Sequence, residues 1–254
     1  MKTLFHHRFD SLEQFLNTCQ GQADKVYLAA CRAGDISAVT KAEAILADIR
    51  KTIRRDRPDW GQSVAGAFPI VPEFLSGNPE CMRRRVNLPA ENSPVTIWVC
   101  VNSSGNAADV ILSRGIAILA LYLELSRRRQ CSIYICAMNQ GQRRGLAQPG
   151  HFGISIRVRN PVNLAQLAYS ICDETLWYRV MIPYRMGVLH KMGYSTNLKP
   201  ADCIEQVREV IQPAPQDIVI PPNYADHYRD ISENPAKWVK GQLAICDGIY
   251  AEAN

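Results

Sequence analysis

Residues 95–138 limit the fold of this chain more than any other stretch. "VTIWVCV" (95–101) and "CSIYICAM" (131–138) are continuous apolar runs rich in β-branched and aromatic residues. Such runs, without alternation, mark strands buried on both faces. Between them, residues 109–126 are apolar on nearly every side, with Val110, Ile111, Leu112, Ile116, Ile118 and Leu119 leading into Leu121, Leu123 and Leu125. A helix of that kind is deeply buried. Two buried strands joined by one helix make a parallel β-α-β crossover, which is right-handed. The expected fold is therefore α/β, a mainly parallel sheet flanked by helices in a Rossmann-like arrangement.

Further elements follow from periodicity and caps. Asp10 or Ser11 caps a first helix carrying Leu12, Phe15 and Leu16 on one face. Residues 37–55 repeat Val39, Ala42, Ile45, Leu46 and Ile49 at helical spacing and end in basic residues, before Pro58 blocks continuation. Residues 58–94 are rich in Pro, Gly and Trp and are expected to hold short strands or turns. "NQGQRRGLAQPG" (139–150) reads as a loop, and 151–160 as a strand with one polar face. Pro161 at N1 after an Asn160 cap opens a helix with Leu164, Leu167 and Ile171 inward. Helices at 201–212 and 234–250 flank a short strand at 216–221, and 174–200 has no clear pattern beyond packing residues. Two regions result: an N-terminal helical and irregular extension over 1–93, packed on an α/β core domain over 94–254.

The longest apolar stretch, 116–125, falls well short of the roughly 20 residues a membrane span needs. The N-terminus has no apolar h-region or cleavage site, so no secretion signal and no membrane partner are expected. Nine cysteines are scattered with no C-x-x-C pair, as expected for reduced core thiols in a cytoplasmic protein.

The positive charge is concentrated in arginine. The net charge of +5 comes from 21 Arg and 8 Lys against 24 acidic residues. The arginines cluster: Arg54, Arg55 and Arg57; Arg83, Arg84 and Arg85; Arg127, Arg128 and Arg129; Arg143 and Arg144; Arg157 and Arg159. Guanidinium groups suit phosphate and stacked bases, so a shared basic face is expected to bind nucleic acid. Trp60, Phe68, Phe74, His151 and Phe152 lie near these clusters in sequence and are candidates for base stacking.

The strand, the Ser-rich turn "NSSGN", the long apolar helix and the second strand resemble the von Willebrand factor A fold over about 95–220. In that family the turn reads Asp-x-Ser-x-Ser and binds a divalent metal. The matching positions here are Asn102, Ser104 and Asn106. Thr175, Asp173 and Asp217 are the residues available for the family's later ligands, and Asp109 for an added carboxylate. Without the leading carboxylate a hard cation loses its main charge partner, so the resemblance implies a degenerate site and no metal. "VPEFLSGNPECMRRRV" with "SRGIAILALYLEL" also resembles an uncharacterised family of bacteriophage proteins. That resemblance implies a phage-encoded protein acting in the host cytoplasm.

No phosphate-binding loop and no dinucleotide fingerprint occurs, and none of the five histidines stands in a nucleophile motif. The reading is a non-catalytic accessory protein of transcription or replication that needs no cofactor. It binds nucleic acid, single-stranded DNA foremost, with a phage or host polymerase as a protein partner. The alternative is a von Willebrand A-like module that binds a host or phage protein.

Overall fold

The computed structural model describes residues 4–56, 60–63, 68–69, 75–76, 82–85, 94–103, 107–142, 149–191, 199–200, 204–222 and 229–246. In chain order its elements are β1 (Leu4–Phe9), α1 (Leu12–Thr18), α2 (Lys25–Ala33), α3 (Ile36–Asp56), β2 (Trp60–Ser63), β3 (Phe68–Pro69), β4 (Met82–Arg85) and β5 (Val95–Cys100). There follow α4 (Ala108–Arg128), β6 (Cys131–Gln142), β7 (Pro149–Val158), α5 (Leu164–Cys172) and a π-helical stretch, Leu176–Met181, that runs into α6 (Ile182–Lys191). β8 (Lys199–Pro200), α7 (Ile204–Ile211), β9 (Ile218–Ile220), α8 (Arg229–Glu233) and α9 (Pro235–Cys246) complete the set.

The protein is α/β. Its main sheet runs in the order β1-β7-β6-β5-β9, with β8 paired to β6. β1·β7, β5·β6 and β5·β9 are parallel, and β6·β7 is antiparallel. A second sheet, β2-β4-β3, forms within the connector where short strands were expected. β5, α4 and β6 form the expected crossover. No described helix is long and apolar enough to cross a membrane.

Strand alternation divides the core. Val95, Ile97 and Val99 of β5, with Ile133, Ile135 and Ala137 of β6, face one cluster. α1 to α6 and α9 all contribute to that cluster. Trp98 and Cys100, with Cys136 and Met138, face the other way against Val207, Val210 and Ile211 of α7. Both faces are covered, which is why the strands read as unbroken apolar runs. α4 and α5 approach closely at Gly115, where a Cβ would sit 2.6 Å from the Ile171 carbonyl oxygen and from the Cys172 Cα.

Several local expectations change. β1 was not anticipated; it adds an edge strand beside β7, with Leu4 opposite His151 and Phe9 opposite Ile156. Residues 139–142 and 149–150, read as loop, extend β6 and β7 as a ladder out to Gln142 and Pro149. β7 has no polar face over 152–156, since Gly153 and Ser155 are as buried as their neighbours. Asn163, not Asn160, caps α5, its side chain accepting from the Gln166 amide at 3.2 Å. Ser11 caps α1, accepting from the Gln14 amide at 3.1 Å. α4 starts after Ala107 with no side-chain cap.

Candidate nucleic-acid interface

The turn after β5 is locked into the fold. The Asn102 side chain is fully buried. Its Nδ2 donates to the Met138 carbonyl at 2.7 Å, and its Oδ1 accepts from the Met138 amide at 2.8 Å. The carboxamide thus imitates a peptide group and carries the β5·β6 ladder one step further. Asn102 Oδ1 also accepts from the Cys100 thiol. The next carbonyl, of Ser103, accepts from Trp177 Nε1 at 3.2 Å and from the Tyr178 hydroxyl at 2.8 Å. The π-helical stretch brings these two neighbouring side chains onto one acceptor. Arg114, 2% exposed within the apolar α4, donates through Nη2 to the carbonyls of Cys100 (3.0 Å) and Pro221 (2.8 Å). It ties the ends of β5 and β9 together across the sheet.

Among the described residues no group of three His, Cys, Asp or Glu side chains could hold a metal ion. Asp217 lies before β9, at the opposite end of the strands. Its Oδ1 accepts from the Thr96 amide, and its Oδ2 from Trp98 Nε1 and the Ala214 amide. Asp173 accepts from the Thr175 amide at 2.7 Å. Asp109 is exposed in the first turn of α4. Ser104 and Asn106 lie outside the described residues.

A serine–histidine pair exists but is built the wrong way round for nucleophilic catalysis. His6 Nε2 lies 2.8 Å from Ser155 Oγ, and Arg8 Nε donates to His6 Nδ1 at 3.2 Å. Arginine has no acceptor, so Nδ1 holds the lone pair and Nε2–H donates to the serine. Such a ring cannot take the hydroxyl proton. Burial first, then the charges of Arg8 and His7, push the His6 pKa down to about 4, and burial lowers that of His7. Both folded values lie below the unfolded one near 6.5, so the fold favours the neutral rings. Their contribution is complete above about pH 6.5 and is lost as pH falls towards about 4. Tm should therefore drop across that window. His6→Gln, which keeps a donor to Ser155 but does not titrate, should flatten the drop; an unchanged slope would refute the assignment.

Of the seven described cysteines six are core thiols, and Cys246 is half-buried. Cys19, Cys31, Cys100, Cys131, Cys136 and Cys172 are buried and free. Burial pushes the thiols of Cys19, Cys31, Cys131 and Cys172 up to about 12.

The arginines divide by position. α4 ends where β6 begins, and β7 runs back antiparallel, so that Arg157 sits opposite Tyr134 near the start of β6. Arg127 and Arg128 from α4, and Arg129 at its C-cap, therefore share one end of the sheet with Arg157 and Arg159 from β7. Arg157 and Arg159 are exposed, and Arg159 Nε donates to the Asp10 carbonyl at 2.9 Å. α3 brings a third basic segment to this end. Arg50 Nε donates at 2.8 Å to Glu124, whose side chain is fully buried, and Arg127 and Arg128 donate to the same carboxylate at 2.9 and 2.8 Å. Burial alone would raise the Glu124 pKa; the hydrogen bonds from Arg50, Arg127 and Arg128 outweigh it and hold the carboxyl below its usual value. Arg54 and Arg55 follow Arg50 on α3, about 6–8 Å along the helix axis.

The remaining candidates stand elsewhere. Arg83, Arg84 and Arg85 form β4 of the second sheet. Gln142 and Pro149, which flank the Arg143 and Arg144 segment, are at the far end of the β6·β7 pair. Arg57, Arg143, Arg144 and Phe74 lie outside the described residues. Trp60, Phe68 and His151 fall in β2, β3 and β7. Phe152, proposed for stacking, is 2% exposed in the core. Sequence reasoning missed Glu124, whose signal is a lone acid four residues before Arg128.

A protein-family model described as "Domain of unknown function (DUF7192)" matches residues 3–248. No curated protein and no solved structure matches the chain. The family match spans the main sheet, the locked turn and the basic helix ends together, and the chain therefore belongs to the DUF7192 family, a domain of unknown function.

Proposed function

We propose that the protein binds single-stranded nucleic acid across the basic end of its main sheet, as a non-catalytic accessory to transcription or replication. The observation that supports this reading is the cluster of Arg50, Arg127 and Arg128 on Glu124, with Arg157 and Arg159 of β7 at the same end of the sheet. Glu124 holds three of these guanidiniums in place, and one carboxylate leaves that group of four residues net positive. Fixed cations lose less side-chain entropy when a phosphate arrives. A phage-encoded role in the host cytoplasm, with a polymerase as protein partner, accords with the sequence resemblance.

The test is a salt titration of binding to a labelled single-stranded DNA. Affinity should fall with a log–log slope of about −0.7 for each phosphate contacted. Arg127→Gln and Arg157→Gln, both at exposed positions, should each reduce that slope by about one contact. No binding at low salt would sink the proposal.

A second reading, a von Willebrand A-like protein-binding module, draws on the order β5–α4–β6 with Asn102 at the strand end. The Asn102→Asp variant considered below separates the two.

A further inference from the structure

At the same end of the sheet a cavity of about 450 Å³ opens among the first residues of β5 and β9, α7 and the last turns of α9. Its volume falls in the range of small-molecule sites, about 300–1,000 Å³. Arg129, 8% exposed, and Arg208, on the exposed side of α7, both line it. The acid in the wall, Asp217, accepts from the Thr96, Trp98 and Ala214 N–H groups and keeps its charge, so the two arginines leave the lining net positive by one. Gln216 and Gln242 add carboxamides, each both donor and acceptor. Pro215 and Ile245 add apolar surface, and Ile245 is 59% exposed.

Two arginines suit a dianionic head group, carboxamides suit the polar edge of a heterocycle, and an exposed isoleucine suits its face. We propose that this cavity is a nucleotide pocket. It takes one phosphorylated nucleoside, with phosphate on Arg129 and Arg208 and the base between Gln242 and Ile245. The proposal rests on the nucleic-acid reading only where the nucleotide belongs to a strand; a free mononucleotide has the same chemistry.

The test is titration of the full chain with a fluorescent adenosine monophosphate. Saturable binding is expected, with unlabelled adenosine monophosphate competing and adenosine competing about tenfold more weakly, since charge-assisted hydrogen bonds supply the difference. Arg208→Gln should weaken binding by about tenfold. Gln242→Trp, which fills the cavity from a half-buried position, should abolish it. Absence of saturable binding, or binding indifferent to both substitutions, overturns the pocket. A labelled oligothymidylate separates the sources. If the mononucleotide displaces it, the pocket holds a unit of the strand. If the mononucleotide binds and the oligonucleotide does not, the pocket stands for free nucleotides and the strand reading falls. If the oligonucleotide binds alone, the pocket falls and the basic end keeps its proposed function.

Discussion

Glu124→Gln should destabilise the protein by about 1–3 kcal/mol, the usual result of losing charge-assisted hydrogen bonds to a buried group whose cationic partners stay partly in solvent. Glu124 is 0% exposed, and Arg50, Arg127 and Arg128 all donate to it. Glutamine keeps the shape but loses the charge, and its amide presents donors to groups that are donors themselves. For a domain of this size about 1 kcal/mol corresponds to roughly 2–4 °C, so Tm should fall by about 2–12 °C. Arg127→Gln, at a side chain 57% exposed, should cost under about 1 kcal/mol, because solvent screens that arm of the cluster. The pH dependence follows the sign of the shift. The Glu124 pKa is held below its unfolded value, so the stabilisation is present above about pH 4.5 and is lost as pH falls through the folded value. The wild type should lose stability below that point more steeply than Glu124→Gln. Equal Tm values for the two proteins at neutral pH would remove Glu124 as the anchor of the basic end.

Asn102→Asp should cost about 3 kcal/mol or more, and magnesium should not restore it. The substituted side chain keeps an acceptor for the Met138 amide but sets a second oxygen against the Met138 carbonyl, where Nδ2 now donates at 2.7 Å. A buried acceptor facing an acceptor, with a desolvated charge, is among the costlier point changes. The introduced carboxyl escapes by taking a proton, which restores the donor. Its folded pKa is therefore raised, so the deficit against wild type should be smallest below about pH 4 and grow as pH rises through the folded value. Thermal unfolding between pH 3.5 and 8, with and without magnesium, measures this. A magnesium-dependent rise in Tm for the variant alone would instead favour the degenerate metal site and the von Willebrand A-like reading.

The two substitutions touch residues of the same apolar crossover, yet only parts of it could be read from the chain. The strands at 95–101 and 131–138 and the helix between them were legible, because burial on both faces leaves a local mark, an unbroken apolar run. α3 was legible for a related reason, since apolar residues at helical spacing need no knowledge of the partner. β1 was not. "LFHHRF" has two histidines and an arginine in six residues, and it is a strand only because β7, nearly 150 positions later, offers it an edge. The 139–150 segment misled through its glycines and polar side chains, which normally mark a turn; strand pairing with 149–158 overrides that preference out to Gln142.

The turn "VNSSGN" shows the boundary most plainly. Its sequence alone established where a strand ends and that the leading carboxylate of a metal site is missing. Its amide's partner, the backbone of Met138, was hidden, because a hydrogen bond across 36 residues depends on strand register. The arginines divide the same way. Composition and clustering determined a surplus of guanidinium groups suited to phosphate. Which of them meet was decided by α3 packing on α4, where Glu124 takes Arg50, Arg127 and Arg128; β7 running antiparallel only sets Arg157 and Arg159 at the same end of the sheet. Local periodicity reports whether a residue is buried; charge pairing and convergence arise between elements distant in sequence, and only their packing creates them.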